Sequence, residues 1–504
     1  MNIQEKDNVE DSDSRPVIMF IARGVPGNRW YEGANGEMVL KDEYAENIPE
    51  ALVEICKAIG WRLIVFFAGR SPEFDGDRRK YSEKHANIAV EMDFSDFDFS
   101  VSKRKGKILR ETKDNFSKYG NTQEFKQLFE YKGVNFADQI QFKAAQDIPA
   151  LSANMQTLFE FWNEIFKVTT PKIVIAGRLD VMPYVVSAAK QNNVHVCNVK
   201  LGVGEEMLLP FAVKDKKGGA ENRIAPDVTI LWGSKQKTLI QNRFPDYPTE
   251  LVVSGRTRND SFAAPITSMQ LDSVRKNLSL KNNEEVILFG GNSRTFYGIA
   301  DEENSGTCCL SPYSLKASIE TLANYAAKRR LCKVIVKPHP VDDCDLIEEI
   351  CKNLDNVIFI HPVNAVHNSI LLSLSDIFVS SASSMFTEAI TAGCLPINLW
   401  INDVNYLYEF ERKKIWGDLS VNVESIEKLP EVIEPFLDNE ELRSTTCRQF
   451  EEKLPLYAGR TDGLNSERAV ALSLLSYSLK YDHPQLKRKI ELWAKELNLK
   501  ISTS

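Results

Sequence analysis

At 504 residues the chain is longer than one ordinary hydrophobic core supports, so two or three domains are expected. With 43% hydrophobic and 26% charged residues it has the composition of a soluble globular protein, and its net charge of −8 argues against a general nucleic-acid binder, which carries a basic excess. No apolar run reaches the ~18–20 residues that span a membrane, and the nine cysteines show no C-x-x-C or zinc-finger spacing, so free thiols in a reducing cytoplasm are expected.

Residues 1–15 are acidic and polar and read as a disordered lead. "PVIMFIARG" (16–24) reads as a strand entering a glycine loop. "NIPEALVEICKAIG" (47–60) has the marks of a helix, with Asn47 as cap, Pro49 in the first turn and Gly60 at the end. The strand "WRLIVFFAG" (61–69) then completes a β-loop-α-β unit, whose crossover is parallel and right-handed. Residues 71–150 are polar and read as an inserted helical or loop region, followed by an amphipathic helix over 152–169. "PKIVIAGRLD" (171–180) is a strand and loop, "YVVSAAKQNN" a helix, and 194–202, 225–233 and 250–255 are further strands, giving at least five or six before residue 256.

A second α/β set begins with the strand and Gly-Gly turn of "EEVILFGGNSRT" (284–295). Helices are expected over 311–330, 343–354 and 364–374, alternating with the strands "KVIVKPHP", "NVIFIHP" (356–362) and "SDIFVSS" (375–381). "CLPINLW" (394–400) is the last clear strand, and 439–504 reads as mostly helical. The fold class is therefore α/β, with two Rossmann-like domains facing a cleft: 16–265 on the acceptor side, 266–440 on the nucleotide side, and a helical tail, 441–504, packing back on the first domain.

The polar groups of the second half fall just after strands. Gly290, Gly291 and Arg294 follow "VILF", Lys337 and His339 follow "VIV", and Ser380, Ser381, Ser383 and Ser384 follow "DIFV". In a parallel sheet these positions share one edge. Lys337 and His339 both precede prolines, so both are expected to be extended and to point to one face. Glycine N–H groups, cations and hydroxyls at a helix start all suit an anion. Ser383 or Ser384 is expected to cap the next helix, with Glu388 one turn further on. Alone, Glu388 reads as a surface acid near a positive helix end; beside a bound phosphate it could accept ribose hydroxyls.

The order of "KPHP" and "SDIFVSSASSMFTEAITAGCLPI" resembles GT-B fold glycosyltransferases of bacterial surface-polysaccharide synthesis, the sialyl-, Kdo- and glycerophosphotransferases that use cytidine-activated donors. The ending "DGLNSERAVALSLL" (462–475) is similar to endings in that group. The resemblance covers about residues 284–475 at the level of motifs, and the "DYSS" of the glycerophosphotransferases is replaced by "SASS". It implies that His339-Pro340 and Ser383-Ser384 hold the donor phosphate and that Glu388 binds the donor ribose. The implied activity is transfer of a sugar from a nucleotide-sugar substrate to a glycan or lipid-linked acceptor in the cytoplasm, at the inner membrane face, with no cofactor.

Such a reaction needs fixed donors at the leaving phosphate and a base at the acceptor hydroxyl. Arg294, Lys337, His339, Ser383 and Ser384 are candidates for the first, His339 also being counted as catalytic. Asp180, Glu205 and Glu206, which follow strands of the first half, are candidates for the second, with Arg23, Gly24 and Arg178 beside the acceptor. The D-x-D of Asp96-Phe97-Asp98 lacks the framing of a metal-dependent transferase, and no metal is expected. The alternatives are a UDP-GlcNAc 2-epimerase-like enzyme and a non-catalytic nucleotide-sugar-binding scaffold. Leu486, Ile490, Trp493 and Leu497 form one stripe within 485–501, suited either to packing on the first domain or to an anionic membrane surface.

Overall fold

The computed structural model describes residues 14–22, 29–32, 38–41, 48–67, 87–93, 101–128, 130–131, 134–135, 137–177, 182–199, 225–243, 245, 247–263, 266–291, 310–338, 342, 344–361, 366–381, 383–401 and 417–501. Two parallel sheets dominate. The first has seven strands, and the structure adds two short hairpins, β2 (Arg29–Glu32) with β3 (Met38–Lys41) and β6 (Glu130–Tyr131) with β7 (Val134–Asn135).

In the first sheet β1 (Val17–Ala22) lies between β4 (Arg62–Phe67) and β8 (Ile173–Gly177). The order continues from β4 to β5 (Ala89–Asp93), and from β8 through β9 (His195–Val199) and β10 (Val228–Leu231) to β11 (Glu250–Val253). Alternate residues feed opposite cores: Ile18, Phe20, Ile173 and Ile175 face one, Met19, Ile21, Val174 and Ala176 the other. Coverage on both faces is why these strands read as continuous apolar runs.

One face is covered by α1 (Ile48–Ile59), the other by the inner half of a 33-residue helix that follows α2 (Val101–Gly120), namely α3 (Ala137–Thr169). The expected helix at 152–169 thus starts earlier and carries Pro149 in its body, and the region 71–150 contributes an edge strand, β5, as well as helices.

The second sheet places β12 (Glu285–Gly290) between β13 (Cys332–Lys337) and β15 (Ile377–Ser380). β14 (Val357–Phe359) lies beyond β13, and β16 (Leu395–Leu399) and β17 (Val421–Val423) lie beyond β15. β17 extends the sheet past the strand expected to be last. Three connecting helices matter below: α4 (Asn368–Leu374), α5 (Met385–Thr391) and, after the second sheet, α6 (Asn465–Lys480), to which α7 (Pro484–Glu496) is joined.

The last two helices return to the first sheet. Ala469, Leu472 and Leu475 of α6 and Leu486, Ile490 and Trp493 of α7 share one core with α1. Trp493 is 7% exposed and Ile490 fully buried, so these residues pack against the first domain, one of the two roles the stripe suited. Among the described residues no helix is long and apolar enough to cross a membrane. All described cysteines are free thiols.

Candidate functional site

Each sheet reverses its direction of growth once. The second runs from β12 outward to β14, then returns to the other side of β12 with β15, so its switch point lies between β12 and β15. Ligands of open α/β sheets bind beyond the carboxyl ends of strands at such a point. Gly290 ends β12 there, in register with Lys337 of β13, and the Ser380 hydroxyl donates to the Gly290 carbonyl at 3.0 Å.

The glycines serve the sheet. A Cβ on Gly290 would lie 2.7 Å from the Phe378 ring, and the Gly291 N–H donates to the Lys337 carbonyl at 2.8 Å. That amide is therefore not a spare anion donor, in contrast to the expectation from sequence. The half-buried Lys337 ammonium donates to Asn368 Oδ1, at the start of α4. Asn368 in turn reaches Met385 Sδ at 3.7 Å, tying β13 to α5. His367 caps α4, its Nδ1 accepting from the Ser369 N–H at 3.1 Å.

Ser384 occupies the N-cap of α5 with helical backbone angles and no capping bond from its hydroxyl. The neighbouring Ser383 Oγ accepts from the Met385 N–H at 3.2 Å. Glu388 is not a surface acid: it is 1% exposed. Its Oε1 forms ion pairs with Arg256 Nη2 at 2.6 Å and Arg258 Nε at 3.3 Å, but neither Oε1 nor Oε2 has a hydrogen-bond donor in good geometry among the described residues.

Both arginines come from the chain crossing that leaves β11. Arg256 Nη1 donates to the Ser384 carbonyl at 2.9 Å and to Thr387 Oγ1 at 2.7 Å, and its guanidinium lies 4.7 Å from the Trp232 ring. A second crossing, leading to α6, locks onto the first. The Arg256 N–H donates to the Ala458 carbonyl at 2.8 Å, and Gly255 and Gly459, with φ of +106° and +81°, pack backbone on backbone. A Cβ on Gly459 would lie 2.1 Å from the Gly255 Cα, which only glycine avoids.

Asp260 completes the lock. It accepts from the Asn465 N–H and Nδ2 at 2.9 and 2.8 Å, and from the Ser466 N–H and hydroxyl at 2.7 Å each. Burial still leaves its pKa raised, against the pull of those bonds. Nearby Glu467 is pushed up to about 7, first by burial and further by the charges of Asp260 and Asp462. The "DGLNSERAVALSLL" ending therefore fastens the two crossings together.

Of the residues singled out from sequence, Gly290, Gly291, Lys337, Ser383, Ser384 and Glu388 do gather at this edge. Arg23, Gly24, Arg178, Asp180, Glu205, Glu206, Arg294 and His339 lie outside the described residues. In chain order Gly24 and Arg178 follow β1 and β8, the strands at the switch point of the first sheet. Arg256, Arg258 and Asn368 went unnoticed in the sequence, since none follows the strand whose edge it serves. Among the described residues at this edge, the cations Lys337, Arg256 and Arg258 stand beside one carboxylate, Glu388. Among the described residues no three His, Cys, Asp or Glu side chains cluster as metal ligands.

No family model matches the sequence, and no curated protein matches it. Solved structures do resemble it. A Listeria monocytogenes chain assigned as a UDP-N-acetylglucosamine 2-epimerase is 14% identical over 92% of this chain and 97% of its own, with a TM-score of 0.53. A second UDP-N-acetylglucosamine 2-epimerase is 12% identical over 92% and 96%, with a TM-score of 0.51. S. aureus MnaA, in a UDP co-structure, is 14% identical over 92% and 97%, with a TM-score of 0.50. At such identities the likeness is one of fold: two parallel sheets with a helical C-terminal segment, as in GT-B-like chains.

Proposed function

We propose that the chain is a nucleotide-sugar-dependent glycosyltransferase of the GT-B type, binding its donor at the carboxyl edge of the second sheet. One observation carries the reading: β13, β12 and β15 lie side by side, so Lys337, Ser383, Ser384 and Glu388 come together at a topological switch point. Lys337 and the serine turn would hold the donor phosphate and stabilise charge as the sugar bond breaks. Glu388 Oε2, buried and lacking a donor, would accept the ribose hydroxyls. The acceptor, a glycan or lipid-linked sugar of surface polysaccharide, would enter from the first sheet, where Asp180 or Glu205 would take its proton and Arg178 would stand beside it. The motifs around "KPHP" and "SASS" favour a cytidine-activated donor, and the enzyme would work in the cytoplasm without a metal.

A second reading, a UDP-GlcNAc 2-epimerase-like enzyme, is favoured by the folds compared above, since the three chains include two epimerases and a UDP complex. Melting the protein with CMP, CDP, UDP and GDP separates the two, because a bound ligand raises apparent stability. Stabilisation by cytidine nucleotides, with EDTA-resistant sugar transfer, is the expected result. A response to UDP alone, with UDP-GlcNAc turned over in the absence of acceptor, would select the epimerase. No response to any nucleotide would sink both.

A further inference from the structure

We propose that Arg256 is a positioning residue, through which the crossing between the two sheets sets the geometry of Glu388 and the Ser383–Ser384 turn. The inference rests on the nucleotide-sugar reading of that site and names what holds it in shape.

Arg256 is 4% exposed and anchored at both ends. Its backbone N–H is fixed to the Ala458 carbonyl, at the contact of Gly255 with Gly459. Its guanidinium donates through Nη1 to the Ser384 carbonyl and Thr387 Oγ1 and, at 3.5 Å, to Asn259 Oδ1, and its Nη2 forms an ion pair with Glu388 Oε1. The Trp232 ring, at the end of β10, lies against it. A planar fork can satisfy these acceptors at once, whereas a lysine ammonium is a point charge on a flexible stem.

The same contact turns Glu388 into a prepared acceptor. With Oε1 2.6 Å from Arg256 Nη2 and 3.3 Å from Arg258 Nε, the carboxylate is oriented although it is 1% exposed. Those two contacts are to Oε1; Oε2 remains a buried acceptor without a hydrogen bond among the described residues, and a buried acceptor of that kind calls for a partner. A vicinal diol of a nucleoside fits that need. A small shift of the crossing would move Arg256, and with it the turn and the carboxylate, so the site's affinity is tied to how the two crossings seat on each other.

The test uses the full-length chain and the variants R256Q, R256K and R256Q/E388Q. UDP and CMP are titrated calorimetrically, melting is followed, and backbone hydrogen exchange is read over residues 385–390. R256Q is expected to weaken binding of whichever nucleotide the wild type takes by tenfold or more, and to speed exchange in that turn; R256K recovers part of both. The double variant removes both ends of the buried pair, so it regains stability yet stays weak in binding. Recovery of affinity together with stability, or unchanged affinity in R256Q, would reduce Arg256 to a structural partner and overturn the inference. If the wild type binds neither nucleotide, the reading of the site fails, and exchange alone judges Arg256: acceleration confined to 385–390 supports positioning, unchanged exchange refutes it. Should R256Q fail to fold, R256K and the double variant give the same decision.

Discussion

His195 shows how strongly one residue's position can govern its chemistry. It begins β9, is 0% exposed and packs edge-on to Tyr477 and Tyr481, with ring centroids 5.7 and 6.1 Å away. Burial pushes its pKa down to about 4, against the attraction of Asp227 at 3.6 Å and with the help of Lys480 and Lys190. The unfolded chain therefore binds a proton near pH 6.5 that the folded chain refuses until about 4. Stability is full above pH 6.5 and falls as pH drops towards 4, by up to about 3 kcal/mol. Asp227 is held below its ordinary value despite burial, chiefly by the Lys480 hydrogen bond, so its own loss comes at lower pH. His195→Phe, which keeps the aromatic packing, is expected to flatten the decline between pH 6.5 and 4 in urea melts. An unchanged slope there would mean that other groups carry it. At the same scale the site was half legible. Lys337, Ser383, Ser384 and Glu388 stand out because each closely follows a strand. Arg256 does not, because its partners Ser384 and Thr387 lie 128 and 131 positions along the chain.

Among the elements, β1 and β8 are plain in the sequence because both faces are buried and every residue is apolar or small. β5, "AVEMD", escaped notice: it lies at the sheet edge and mixes acids with apolar residues. The early start of α3 escaped too, because its first turns are polar and Pro149 argues locally against a helix, a cost that packing overrides. The stripe of α7 was visible, but a stripe alone does not say what covers it. Its burial against α1 and α6 predicts that Trp493→Ala will cost about 3–5 kcal/mol, as for other large-to-small core changes. Denaturant titration measures that loss, and flotation with anionic vesicles should be the same before and after. If the wild type floats and the variant does not, Trp493 meets lipid instead.

Across the whole molecule the chain passes between its sheets twice, and the second passage makes the first half depend on the last residues. Ala469, Leu472, Leu475, Ile490 and Trp493 complete the core over Ile18, Phe20 and Leu52. A chain ending at residue 460 would keep every strand of both sheets yet leave that face bare. It should lose its cooperative melt and sediment as aggregate, followed by circular dichroism and centrifugation; a soluble truncation with the wild-type transition would show that the first sheet needs no cover. By itself the sequence determined the alternation of strands and helices, the α/β class and the polar residues at strand ends, because periodicity, proline and glycine act within a few residues of themselves. Tertiary structure alone decided that Glu388 is buried between two arginines and that Asp260 caps a helix 205 residues away, because those contacts arise only when distant segments are brought together and their charges leave water in pairs.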